Sequence, residues 1–277
     1  MKRLLTAAIG APLVLAAIFL FKGWWFFALM AAVIEVAVWE YVEILRPQAP
    51  RAPLRSLLLL VPGAAFALSY AASMPLSADA LRLYLFGAAL LLGIGLGTLV
   101  LFARTPLPEA LPALGALAFG IPYFAVALAA LDLLQHMDPW IAVLLLAIVW
   151  LGDTAAYYVG SRIGRRKLAP VISPKKSWEG AAASFVVALA AAAVWDVCRR
   201  GRLEPGLLVA AALTAVAAQI GDLVESLLKR SSGVKDSGHI LPGHGGAFDR
   251  VDALLFAAPV LLVSLWVLGE RFPPRFP

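Results

Sequence analysis

From Ser226 to Asp252 the chain reads SLLKRSSGVKDSGHILPGHGGAFDRVD, the densest run of polar and small residues it contains. If the segment before it is a helix, Asp222, Glu225, Ser226 and Lys229 fall at offsets 0, 3, 4 and 7 and share one face. Asp249 and Asp252, three apart, share a face at the start of the next apolar segment. Two helix ends would then point carboxylates at one region, across a loop with glycines at 233, 238, 243, 245 and 246. Carboxylate oxygens are hard ligands suited to magnesium, which retains waters and adds substrate phosphates. Lys229, Arg230, Lys235 and Arg250 supply cations for a polyphosphate, and a glycine-rich backbone can turn its N–H groups inward. Acids near helix ends can also snorkel to an interface or pair between helices. A metal-and-phosphate site explains the joint arrangement better than either of those.

A second polar loop repeats the theme. Asp153 is followed by Gly160, Arg162 and the run Gly164-Arg-Arg-Lys167, then by Ser173-Pro-Lys-Lys-Ser-Trp-Glu-Gly180. Pro174 suits a helix start and Glu179 its positive end, where Ser173 with Lys175 or Lys176 could meet a phosphate. Arg162 to Lys167 read more simply as loop cations facing lipid head groups. His244, before Gly245 and Gly246, could donate to a phosphate; His136 reads as interfacial, and His239 has no assignment. Glu35, Glu40 and Glu43 lie in one apolar segment, and residue types alone do not decide whether they pair or line a cavity.

The elements that must hold these residues are helices in a membrane. Of the 277 residues, 62% are hydrophobic and only 14% charged, with mean hydropathy +0.88. A soluble domain carries about 25% charged residues, so this chain cannot cover a water-facing exterior. A bilayer core about 30 Å thick needs about 20 apolar residues per helix. By that measure there are nine candidate spans, at 4–21, 24–45, 54–72, 81–102, 110–133, 140–158, 178–198, 207–228 and 251–268. The expected fold is therefore all-α, a polytopic integral membrane protein of about nine transmembrane helices. With the N-terminus inside, 16 of the 23 Lys and Arg residues fall on the inner side, which puts the loops 159–177 and 229–250 in the cytoplasm. Arg199, Arg200 and Arg202 on the outer side run against that bias. Polar residues concentrate late in the chain, which suggests a supporting half, 1–105, and a catalytic half, 106–277.

Several classes lose support. Net charge is +6, but no basic stripe interleaved with aromatics lies outside the apolar segments, so nucleic acid is not an expected partner. The single cysteine, Cys198, excludes an internal disulfide. No G-x-S-x-G, Walker A, H-E-x-x-H or dinucleotide fingerprint occurs. A transporter using Glu35, Asp153 and Asp222 as an ion path predicts broken helices in matching halves, and no such pattern is present.

Ser226, Lys229, Arg230, Lys235, Asp236, Gly238, Leu241, Pro242, His244, Gly245, Gly246, Asp249, Arg250 and Asp252 resemble, in register, the hallmark motif of the CDP-diacylglycerol synthases, or phosphatidate cytidylyltransferases. Ala247 departs from it, standing where the family usually has a larger aliphatic residue. Ser173, Pro174, Lys176, Glu179 and Gly180 are similar to the family's upstream element. The similarity covers about 153–252.

The resemblance implies the reaction CTP + phosphatidate → CDP-diacylglycerol + pyrophosphate, in phospholipid biosynthesis, at a bacterial cytoplasmic (inner) membrane. It implies magnesium with a second cation such as potassium, held by carboxylates at Asp222 and Asp249. Asp252 and Asp236 are supporting candidates. Lys229, Arg230, Lys235 and Arg250 would neutralise phosphates, while Ser173, Lys175, Lys176, Ser226, His244, Gly245 and Gly246 would help to bind them. Asp222, Asp249, Lys229 and Arg250 form the expected catalytic set, and a homodimer is implied by the family alone. The competing activity is a CTP-dependent lipid kinase, or a cytidylyltransferase for another lipid phosphate.

Overall fold

A computed structural model describes residues 2–49, 51–73, 95–96, 98–100, 102–103, 105–238 and 245–268. The described elements are α1 (Lys2–Leu20), α2 (Trp24–Leu45), the short α3 (Arg51–Leu54), α4 (Leu57–Ser73), α5 (Leu107–Met137), α6 (Pro139–Ile163), β1 (Lys167–Ala169), β2 (Ser173–Ser177), α7 (Trp178–Arg200), α8 (Pro205–Ser231) and α9 (Phe248–Val267). Six helical stretches among the described residues are long and apolar enough to cross a bilayer: Ala52–Ala72, Leu107–Met137, Pro139–Ile163, Trp178–Arg200, Pro205–Ser231 and Phe248–Val267. The expected count of nine is not matched. The first candidate lies on α1, in which only Gly10–Leu20 stands out as an apolar stretch. The second coincides with α2 but is not among the six, and the fourth, 81–102, lies mostly outside the described residues.

Many large apolar side chains point outward, among them Leu59, Val186, Val263 and Trp266. In water that exterior would be an aggregation surface, whereas against lipid tails it is the expected solvent match. Prolines sit inside several helices, at positions 12, 62, 112, 122 and 259, which membrane helices tolerate where neighbours satisfy the freed backbone groups.

Small residues set how closely the late helices approach. A Cβ on Gly152 would meet Ser184 Oγ at 2.7 Å, and one on Gly180 would meet Ala156 O at 2.8 Å, so α6 and α7 pack nearly backbone to backbone. Gly221 does the same for α8 and α9, where a Cβ would lie 2.7 Å from Asp252 O. One buried cluster joins α2, α4, α5 and the start of α9 around Tyr41, Phe124 and Phe248. A second joins the end of α5 to α6, α7, α8 and α9 through alanines and leucines.

The arginine cluster at 199–202 is accounted for by pairing. Arg199 reaches Asp138 Oδ2 at 3.4 Å and stacks over Trp140, Arg200 pairs with the fully buried Asp196, and Arg202 pairs with Glu204 at 2.7 Å. Asp196 also accepts from Glu204 N at 2.7 Å. Gly201, with φ +69, supplies the left-handed residue that ends α7 there. The pairs of Arg200 and Arg202 close the α7–α8 turn, and Arg199 ties it to the start of α6.

Candidate active site

At the opposite end of the same helices a two-stranded hairpin is fastened to the helix ends on both sides. β1 and β2 pair antiparallel, with Lys167 opposite Ser177 and Ala169 opposite Ser173. Ser177 caps α7 by accepting from Gly180 N at 3.2 Å, and Glu179, in the first turn, accepts from Arg166 N at 3.2 and 3.3 Å. The loop after α6 thus becomes a rigid arm that presents Lys175 and Lys176.

Lys176 Nζ lies 2.5 Å from Asp222 Oδ2 on α8. The α8 face expected from spacing is present: Glu225 follows Asp222 by three residues, and Lys229 Nζ sits 2.6 Å from Glu225 Oε2. The same ammonium lies 2.6 Å from Asp249 Oδ1 on α9. Asp249 Oδ2 accepts from Gly246 N at 3.1 Å and Ser237 N at 3.3 Å. Gly245 adopts φ +79, and a Cβ there would come 2.8 Å from Asp249 Oδ2, so the turn requires glycine on two counts.

These groups line a cleft of about 1140 Å³ between α6, the hairpin, α7, α8 and α9. Its wall carries six carboxylates, Asp153, Asp222, Glu225, Asp236, Asp249 and Asp252, and five cationic side chains, Lys167, Lys175, Lys176, Lys229 and Arg250. Asp222, Glu225 and Asp252 each offer an oxygen within 4.8 Å of the others. Glu225 is 1% exposed, and its Oε1 has no hydrogen-bond partner. A buried carboxylate oxygen left unpartnered is costly unless a cation or donor meets it. An all-oxygen set with such an atom fits a hard divalent cation.

Of the residues singled out in the sequence, the structure gathers Lys175, Lys176, Asp222, Lys229, Asp236, Gly245, Asp249, Arg250 and Asp252 on this cleft. The group of three close acids takes Glu225 with Asp222 and Asp252, while Asp249 stands beside Lys229. Ser173, on β2, and Ser226, half-buried on α8, do not line the cleft. Arg230 turns toward backbone, donating to Ile172 O at 3.4 Å and Val234 O at 3.2 Å. Lys235 is exposed beyond the cleft wall, and Gly246 contributes its amide to Asp249. His244 lies outside the described residues. Ser184 and Gln219 line the cleft without having been expected there, and Asp153, which heads the second polar stretch, lines it too. The cost of placing an acid in an apolar helix was the available signal for Asp153, but Ser184 and Gln219 carry no comparable mark.

Comparison with known proteins places this geometry. The family model described as "Cytidylyltransferase family" matches residues 1–268. A protein named phosphatidate cytidylyltransferase from Pseudomonas aeruginosa is 32% identical over 284 residues, covering 98% of this chain and 99% of that protein. One of the same name from Haemophilus influenzae is 34% identical over 281 residues, covering 93% and 96%. Another, from Bacillus subtilis, is 46% identical over 119 residues, 43% of this chain and 44% of that protein. With the family model spanning nearly the whole sequence and relatives similar end to end, the chain belongs to the cytidylyltransferase family.

Proposed function

We propose that this protein transfers a cytidylyl group from CTP to phosphatidate, forming CDP-diacylglycerol and releasing pyrophosphate. The observation that carries this is the cleft itself: acids from α8 and α9 converge with the hairpin lysines at one end of a membrane-type bundle. The full-length relatives named phosphatidate cytidylyltransferase supply the substrate class.

An oxygen of the lipid phosphate attacks the α-phosphorus of CTP. One P–O bond forms as the bond to the bridging oxygen of the β-phosphate breaks, and pyrophosphate departs with that electron pair. Such a displacement needs alignment and charge compensation rather than a protein nucleophile. Lys176, Lys229 and Arg250 provide the compensation, with Lys175 at the rim. Lys176 and Lys229 are held by carboxylates until phosphates compete for them. Because the acids already balance these cations, a bound triphosphate brings charge that needs a further positive partner. Asp222, Glu225 and Asp252 would hold magnesium for that purpose, with Asp249 next to them. The ion's contribution, when bound, is to neutralise phosphate charge and orient the triphosphate.

CTP is water-soluble, whereas phosphatidate stays in its leaflet, so the cleft must sit at an interface. The Lys and Arg bias supports a cytoplasmic-facing site in a bacterial inner membrane, within a bundle of about nine spans. Purified protein given phosphatidate and CTP labelled in the cytidine should yield labelled lipid with stoichiometric pyrophosphate. Release of CDP with phosphate on the lipid would instead identify a kinase.

A further inference from the structure

Glu40 stands on α2, outside the segment that carries the motifs, and is 1% exposed. Its Oε2 accepts from Phe248 N at 2.8 Å, across 208 residues, and from Ser237 Oγ at 2.9 Å. Phe248 is the first residue of α9, whose own preceding residue, Ala247, gives no side-chain cap. The carboxylate therefore does from a distance what a local Ser or Asp would do, and it meets the positive end of the helix. Ser237 Oγ passes the contact on by accepting from Asp249 N at 3.3 Å. Asp249 in turn holds Lys229.

The surrounding glycines match this role. A side chain on Gly238 or on Gly246 would run into the Glu40 carboxylate, so both positions stay bare to let it approach the backbone. Further along α2's chain, Gln48 donates to Ser231 O at 2.7 Å and Ser232 Oγ at 3.3 Å, fixing the end of α8 just beyond Lys229. A buried acid in an apolar helix is costly, and here two donors to Oε2 offset part of that cost, while Oε1 has no hydrogen-bond partner.

We infer that Glu40 is a positioning residue for the active site: it caps α9 from α2 and, through Ser237, sets the Asp249–Lys229 pair at the cleft wall. Its effect on turnover rests on the cytidylyl-transfer reading; the clamp itself does not.

The test uses the full-length protein in detergent with lipid, comparing wild type, E40Q, K229A and the double variant, with S237A as a second probe should E40Q fold poorly. Hydrogen exchange at the amides of 245–249 should rise about tenfold or more in E40Q, with α5 and α6 still protected. Exchanging the anionic acceptor for a neutral amide oxygen weakens both bonds and the match to the helix end, and should lower kcat/KM by about 5- to 10-fold in the E40Q single variant. In the K229A background the same change should cost less than about twofold, because the group through which it acts is already gone. S237A should show the same pattern at smaller amplitude. Unchanged exchange at 245–249, or an equal loss from E40Q in both backgrounds, would overturn the inference. Loosened amides in E40Q, with wild type making no CDP-diacylglycerol, would support the clamp and defeat the functional reading.

Discussion

Both ends of the α7–α8 pair are rich in acids and arginines or lysines, yet they do opposite things. At the α7–α8 turn Arg199, Arg200 and Arg202 each have a carboxylate partner, on the turn itself or, for Arg199, at the start of α6, and the charges are taken up in pairs. At the hairpin end the charges arrive from α6, β1, β2, α8, α9 and the loop between α8 and α9, and surround a cleft. On the cleft wall Glu225 Oε1 is buried without a hydrogen-bond partner. Charge density alone therefore separates nothing. Convergence from distant elements around a cleft marks the end built for a ligand.

Substitutions at the two ends should break or sharpen that contrast. The largest effect is expected from D222N, which removes one of the three close acids and the Lys176 partner. Turnover should fall by about 10²–10³-fold while membrane insertion is unchanged, as read by initial rates on equal amounts of folded protein. Near-normal rates at ordinary magnesium would remove Asp222 from the site. K229A comes next: it deletes a charge-assisted contact worth about 1.5–3 kcal/mol, so the apparent KM for CTP or phosphatidate should rise roughly tenfold or more. Unchanged values for both substrates would exclude Lys229 from phosphate binding. At the α7–α8 turn, D196N should lower the melting temperature measurably, because it weakens a fully buried partner of Arg200, with kcat per folded molecule within about twofold of wild type. Smallest of all, R202A breaks an exposed pair and should change stability by about 0–1 kcal/mol, with no change in activity. A large catalytic loss in either of these two variants would erase the distinction between the ends.

The cleft is largely legible in the sequence because its chemistry is local in sequence. Asp222, Glu225 and Lys229 lie on one helical face, and Asp249 and Asp252 open the next helix, so spacing alone grouped them. What spacing could not show is which acids come closest. The trio includes Glu225, whereas Asp249 is drawn to Lys229 and to the amides of Ser237 and Gly246. The hairpin was hidden because its strand residues, Ser173–Ser177, are polar or proline and lack the alternation that marks a half-buried strand. Glu40 was visible as a costly acid on an apolar helix, but its partners lie 197 and 208 residues away. Arg199, Arg200 and Arg202 run against the charge bias because their neutralising acids, Asp138, Asp196 and Glu204, are recognised only once the chain is folded. Six of the nine apolar stretches coincide with helices long and apolar enough to cross a bilayer, and the fourth, 81–102, lies mostly outside the described residues.

The most direct measurement is a density map of the full-length protein with CTP and magnesium bound. The triphosphate should lie in the cleft with its phosphates between Lys176 and Lys229, and a cation should bridge them to Asp222, Glu225 and Asp252. A nucleotide bound elsewhere, or phosphates in the cleft with those three carboxylates turned away and no cation between, would contradict the account.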